Sequence, residues 1–157
     1  MFYFKAVKSM NHHAPRALVR AFTLLSILVT AQLLPQFSYA EYSIIVHPSN
    51  QNQLSPKQVQ RIFLGRLKTY PNHMTASPVD QPINSRIRQV FSEKILKKNT
   101  QKIKSYWARQ IFTGKGTPPK ALNADDTVKA FVGTNENAIG YIETKRLDSS
   151  VKEILEF

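Results

Sequence analysis

The sequence predicts a single α/β domain, and three observations carry that prediction. After residue 40 the chain alternates short apolar runs of strand length with apolar stripes at helical spacing, in the order strand, helix, strand, three helices, strand. Helix starts are marked by capping or acidic residues, and three of the four helical stretches run up to a glycine, Gly65, Gly114 and Gly133. Of the 157 residues, the 117 that follow residue 40 suffice for one core and not for two lobes with a hinge.

Tyr42-Ser43-Ile44-Ile45-Val46 reads as a short buried strand, followed by a polar, turn-rich stretch from His47 to Gln53. In the helix that comes next, Ser55 stands at the N-cap and Pro56 takes the first helical position, where its missing N–H costs nothing. Gln58 completes a capping box, Val59, Ile62 and Phe63 form the apolar stripe, and Gly65 ends the helix. Ala76 to Val79 is predicted as the second strand, bounded by Pro71-Asn72 and Gln81-Pro82. Asn84 or Ser85 then caps a second helix with Ile87, Val90, Phe91 and Ile95 on one face and Arg86, Arg88, Lys94 and Lys97 elsewhere. Thr100 opens a third helix, in which Ile103, Trp107 and Ile111 form a predicted core stripe, and which stops before Gly114. Asp125 and Asp126 put negative charge at the positive end of a fourth helix, and Gly133 is expected to stop it. Ala138-Ile139-Gly140-Tyr141-Ile142 and Val151 to Phe157 read as closing strands.

Residues 1–40 read as a secretory signal peptide. Lys5, Lys8, Arg16 and Arg20 precede an apolar run from Ala21 to Leu34, and Ser38-Tyr39-Ala40 supplies the small residues of a cleavage site before Glu41. The run is short for a bilayer span and is interrupted by Thr23, Ser26, Thr30 and Gln32. The expectation is therefore an exported chain, periplasmic or secreted, with one domain over 41–157 and no transmembrane segment once the signal is removed. That domain carries 18 basic against ten acidic residues, a net +8 with histidine neutral, which favours anionic partners without naming one. The absence of cysteine excludes disulfides and thiolate metal sites.

Three stretches together carry a resemblance. Leu54 to Arg66, with its Ile62-Phe63-Leu64-Gly65, resembles the IF-x-G helix of the phosphate-type (PstS-like) periplasmic substrate-binding proteins of ABC transporters. Val79 to Phe91 falls where that family has a strand and its anion-binding helix start, and Asn137-Ala138-Ile139-Gly140-Tyr141-Ile142 is similar to its late IGY strand. With Gly114-Lys115-Gly116, the likeness spans nearly all of residues 41–157. The resemblance implies a type II periplasmic-binding-protein-like fold. Since the family's two lobes close on the anion, it implies one lobe by itself here, three-layered, with a small mixed sheet flanked by about four helices.

In that family a Gly-Ser-Gly-Thr turn at a helix N-terminus, preceded by an arginine, holds the oxyanion. Backbone N–H groups, a hydroxyl and a guanidinium satisfy the oxygens of a tetrahedral anion. The matching turn here is Asn84-Ser85-Arg86-Ile87, which keeps the hydroxyl and the helix start but neither glycine nor the threonine, and Asp80 stands near the place of the arginine. The resemblance thus implies a ligand site of Asp80, Asn84, Ser85, Arg86 and Arg88. Arg86 or Arg88 would supply the charge, and Asp80 would repel the anion unless it takes a proton. The other reading of the same residues is a plain helix cap at Asn84 and Ser85, with Arg86 and Arg88 on a solvated face.

Gly114-Lys115-Gly116-Thr117 is too short for a phosphate loop, follows a helix and runs into Pro118-Pro119, so it reads as a helix end and turn. Tyr106 and Trp107 lie among lysines in a pattern that suits base stacking, but the Ile103-Trp107-Ile111 stripe favours a core position for Trp107. His47 and His73 lack metal-ligand spacing, and no nucleophile-base, paired-carboxylate or metal constellation stands out. The sequence points to no enzyme, no cofactor and no metal. Two functions remain. The first is a periplasmic solute-binding-like protein for phosphate or another small oxyanion, linked to ABC-type transport. A single lobe offers an open shelf, so a transporter permease or a second chain completing the cleft are its expected partners. The second is an interaction module that kept the lobe fold and uses its basic surface to meet an acidic envelope protein or polyanion. Neither involves a specific nucleic acid.

Overall fold

The computed structural model describes residues 41–157, and the signal-peptide reading falls on residues 1–40, outside the described residues. In chain order the elements are β1 (Tyr42–Val46), α1 (Pro56–Phe63), β2 (Ser77–Asp80), α2 (Arg86–Lys94), α3 (Thr100–Phe112), β3 (Lys120–Ala121), α4 (Asp125–Thr134), β4 (Ala138–Glu143) and β5 (Lys152–Glu156). A 3₁₀ turn at Thr144–Arg146 follows β4.

The five strands form one mixed sheet in the order β3-β2-β4-β1-β5. β2 pairs parallel with β3 and with β4, whereas β1 runs antiparallel between β4 and β5. Strand alternation sends successive side chains to opposite faces of the sheet. Ile44, Val46, Ile139 and Tyr141 join the cluster built with Val59, Ile62 and Phe63 of α1, Ile87 and Phe91 of α2, and Ile103 and Trp107 of α3. Ile45, Val79, Ala138 and Ile142 pack instead with Val128 and Val132 of α4. The result is three layers, helices on both faces of a mixed sheet, as the α/β expectation requires.

Local chemistry sets the helix ends. At α1 the backbone N–H of Ser55 donates to Gln58 Oε1 at 2.9 Å and that of Gln58 to Ser55 Oγ at 3.3 Å, the reciprocal capping box. Gly65 then leaves the helix at a φ of +66°, a conformation open to a residue without Cβ. Ser85, rather than Asn84, caps α2, and Asn99 caps α3 through the Lys102 N–H at 2.9 Å.

Three expectations need correction. Ile111 is 56 % exposed instead of completing the α3 core stripe. A four-residue step overshoots a helical turn, so by the third member the stripe has rotated about 80° away from Ile103. Gly133 does not stop α4, which runs on to Thr134; a Cβ there would lie 2.8 Å from the Ser150 carbonyl oxygen, so the glycine serves close packing. The two-residue β3 has no apolar pattern, and both its side chains are exposed. It exists through backbone pairing to β2, extended by the Leu122 N–H donating to the Asp80 carbonyl at 2.8 Å.

Candidate functional site

β2 and β3 are parallel neighbours, and each leads into a helix, α2 and α4 respectively, beyond its carboxyl end. Ligands of open α/β sheets bind outside this edge, where helix N-termini present unpaired N–H groups. All five predicted site residues lie on this side, but in two different settings.

Asp80 ends β2 and is 5 % exposed, and Arg88, in the first turns of α2, is 4 % exposed. Arg88 Nη2 meets Asp80 Oδ2 at 2.8 Å. The other oxygen, Asp80 Oδ1, accepts the Tyr141 hydroxyl and the Gln81 backbone N–H, the latter at 2.9 Å. Arg88 Nη1 donates to Ser92 Oγ at 2.9 Å, and that hydroxyl in turn donates to the Arg88 carbonyl at 2.7 Å. This closed arrangement neutralises both charges within the lobe, as buried ions require. Burial raises the Asp80 carboxyl above its ordinary value, against the pull of Arg88, Tyr141 and the Gln81 amide. The Tyr141 phenol is pushed well above its ordinary value by burial and then by the Asp80 charge, so it remains a donor.

Tyr141 also fixes the helix that carries the site. Its ring stacks on Phe91 of α2 with centroids 4.1 Å apart and planes 11° from parallel, and Phe63 of α1 closes on Phe91 edge-on at 4.7 Å. One residue thus ties α2 to the sheet through its ring and to β2 through its hydroxyl. Reading the sequence by motif missed this role, along with those of Gln81 and Ser92. The available signal was a tyrosine in the same strand motif, one residue after Gly140, opposite a strand ending in aspartate.

Asn84, Ser85 and Arg86 form the outer setting. Asn84 and Arg86 are exposed and Ser85 is half-buried. Ser85 Oγ accepts the Arg88 N–H at 3.3 Å, and the Ser85 carbonyl accepts that of Gln89 at 3.1 Å. The first turn of α2 contains no acidic residue. The Arg86 guanidinium stands close enough to Tyr42 to oppose the rise that burial and Glu41 impose on that phenol. The structure therefore splits the five predicted residues into a buried neutral pair, Asp80 and Arg88, and an open shelf of Asn84, Ser85, Arg86 and the helix start. A hollow of about 420 Å³ lies elsewhere, beside Gln51–Leu54 and Lys152–Ile154. Among the described residues no three His, Cys, Asp or Glu side chains cluster as a metal site, and no helix is long and apolar enough to cross a membrane.

No protein-family model matches the chain, and no curated protein does. Solved structures match with probability 1.00. A phosphate ABC transporter substrate-binding protein with bound phosphate from Clostridium perfringens aligns at 22 % identity and TM-score 0.59, over 74 % of this chain and 44 % of its own. An ABC-type phosphate transport receptor from Vibrio cholerae aligns at 20 % identity and TM-score 0.57, over 73 % and 45 %. PstS from Borrelia burgdorferi aligns at 10 % identity and TM-score 0.54, over 74 % and 47 %. At these identities the likeness is one of fold: the chain has the α/β fold of these transport-binding proteins and spans less than half the length of each, about one lobe.

Proposed function

We propose that this chain is an exported, phosphate-type solute-binding lobe that takes a small oxyanion, phosphate foremost, at the start of α2 and serves ABC-type uptake. The observation that carries the reading is the helix start itself. Residues 85–88 present a helix N-terminus with no carboxylate in its first turn, and the exposed Arg86 stands beside it at the carboxyl edge of the parallel strands. The anion would accept the free first-turn N–H groups, the Ser85 hydroxyl, the Asn84 amide and the Arg86 guanidinium. Asp80 and Arg88 would position α2 without touching the ligand, because each is already satisfied by the other. The fold of the phosphate-transport proteins supports phosphate as the first ligand to test, and binding rather than catalysis as the activity.

An open shelf leaves much of the anion in water, so affinity is expected to be weak, with Kd of about 1 mM, until a second chain or a permease covers the site. Calorimetry of residues 41–157 with phosphate, and with sulfate for comparison, tests this. The reading predicts saturable one-site heat that disappears in Arg86→Glu. Absence of saturable heat, or heat indifferent to that substitution, overturns it.

A further inference from the structure

Charge is distributed very unevenly along the folded chain. Residues 56–121 contain 14 basic and two acidic residues, whereas residues 122–157 contain four basic and seven acidic. The ion pairs follow the same division. Apart from Asp80–Arg88, every ion pair among the described residues lies between 125 and 148. The other 13 cations of residues 56–121 have no ion-pair partner among the described residues. Within this field stands an apolar prominence. In the last turn of α3, Phe112 is 92 % exposed and Ile111 56 % exposed. Ala108, one turn earlier, is also exposed on that face, and Lys104, Arg109 and Lys115 surround them, exposed as well.

We propose that this face docks on an anionic phospholipid surface, with Phe112 and Ile111 entering the headgroup boundary and the unpaired lysines and arginines meeting lipid phosphates. The pattern is that of interfacial helices, an apolar tip flanked by cations with no carboxylates of their own. A hollow of about 230 Å³ at the same end of α3, lined by Lys68, Trp107, Lys115 and Thr117, shares Lys115 with this face and offers room for a headgroup. A lipid surface fits better than a nucleic acid because Phe112 is a single exposed ring on this face, whereas single strands stack successive bases on several, and its aromatic neighbours Tyr106 and Trp107 are packed inward. Trp107 is 7 % exposed, and the Tyr106 hydroxyl donates to the Leu64 carbonyl at 2.7 Å. It fits better than a folded acidic protein because the prominence is convex, and an acyl boundary receives a protruding ring without needing a shaped pocket.

This inference does not rest on anion binding at Ser85 and Arg86. The test is co-sedimentation of residues 41–157, which hold the whole sheet and both core clusters, with vesicles of phosphatidylcholine alone or with about one third phosphatidylglycerol. Binding is expected to the anionic vesicles only. It should weaken about tenfold or more in Phe112→Ser, from the lost apolar burial, and about fivefold for each charge removed in Lys104→Gln and Arg109→Gln. Phe112→Ser should leave the phosphate heat unchanged, so failure here is separable from failure of the anion site. Equal or no binding to the two vesicles, full binding by Phe112→Ser, or retention on single-stranded DNA or an acidic protein without vesicle binding overturns the proposal.

Discussion

The two helices that begin at the carboxyl edge of the parallel strands start with opposite chemistry. α4 has Ala124 at its N-cap with no side-chain hydrogen bond, but Asp125 and Asp126 occupy its first turn. Asp125 accepts Gln81 Nε2 at 2.6 Å and the Glu143 N–H at 2.9 Å, and Arg146 pairs with Asp126 at 3.2 Å. That helix start is filled by the protein's own carboxylates. α2 has a serine cap, no acid in its first turn and an exposed arginine. The positive end of a helix dipole is open to an outside anion only where the sequence has not already neutralised it. On this edge that leaves α2.

Removing the support beneath α2 should have the largest effect. Asp80→Ala would leave Arg88 buried without its partner and is expected to cost about 3–5 kcal/mol in denaturant unfolding, while the double change Asp80→Leu with Arg88→Met should recover most of the loss. A double mutant no more stable than the single one would mean that the pair does more than satisfy itself.

On the α4 side, Gly140→Ala would place a Cβ 2.7 Å from Val128 Cγ1 and 3.1 Å from Val79 Cγ2. Overpacking of that kind costs about 1–3 kcal/mol, read as a lower unfolding midpoint. Exchanging the caps sharpens the comparison itself. Ser85→Ala should lose about 1 kcal/mol, whereas Ala124→Ser, at a residue whose backbone is already extended (φ −157°, ψ 158°), should gain a smaller amount. Both are measurable by chemical denaturation.

Alkaline titration probes the phenol beneath the site. Burial first, then the Asp80 charge, holds Tyr141 well above its ordinary value of 10.0, and burial alone raises Tyr70. A group that holds its proton more tightly when folded contributes stability that is complete below the unfolded value and is lost as pH rises past it. Phenolate absorbance from these two residues should therefore appear only together with loss of far-UV signal. Ionisation of Tyr141 near pH 10 in a folded protein would show that its stack on Phe91 is open.

The parts legible in the sequence were those decided within a few residues. Ser55, Pro56, Gln58 and Gly65 wrote the ends of α1 in local hydrogen bonds and one backbone angle, and the apolar runs Tyr42–Val46 and Ala138–Ile142 marked two buried strands. The parts that were not legible depend on partners far along the chain. The Asp80–Arg88 pair was visible only as two charges eight residues apart, and nothing local revealed that Tyr141, 61 residues beyond Asp80, would complete it. β3 was equally silent, because two exposed residues become a strand only through the neighbour they meet.

The most direct test of the central claim is an amide chemical-shift titration of residues 41–157 with phosphate. The account predicts saturable shifts centred on the N–H groups of Arg86 and Ile87 and the Asn84 side-chain amide, with Asp125 and Asp126 at the α4 start unmoved. Shifts distributed over the basic helices without saturation, or none at the α2 start, would contradict it.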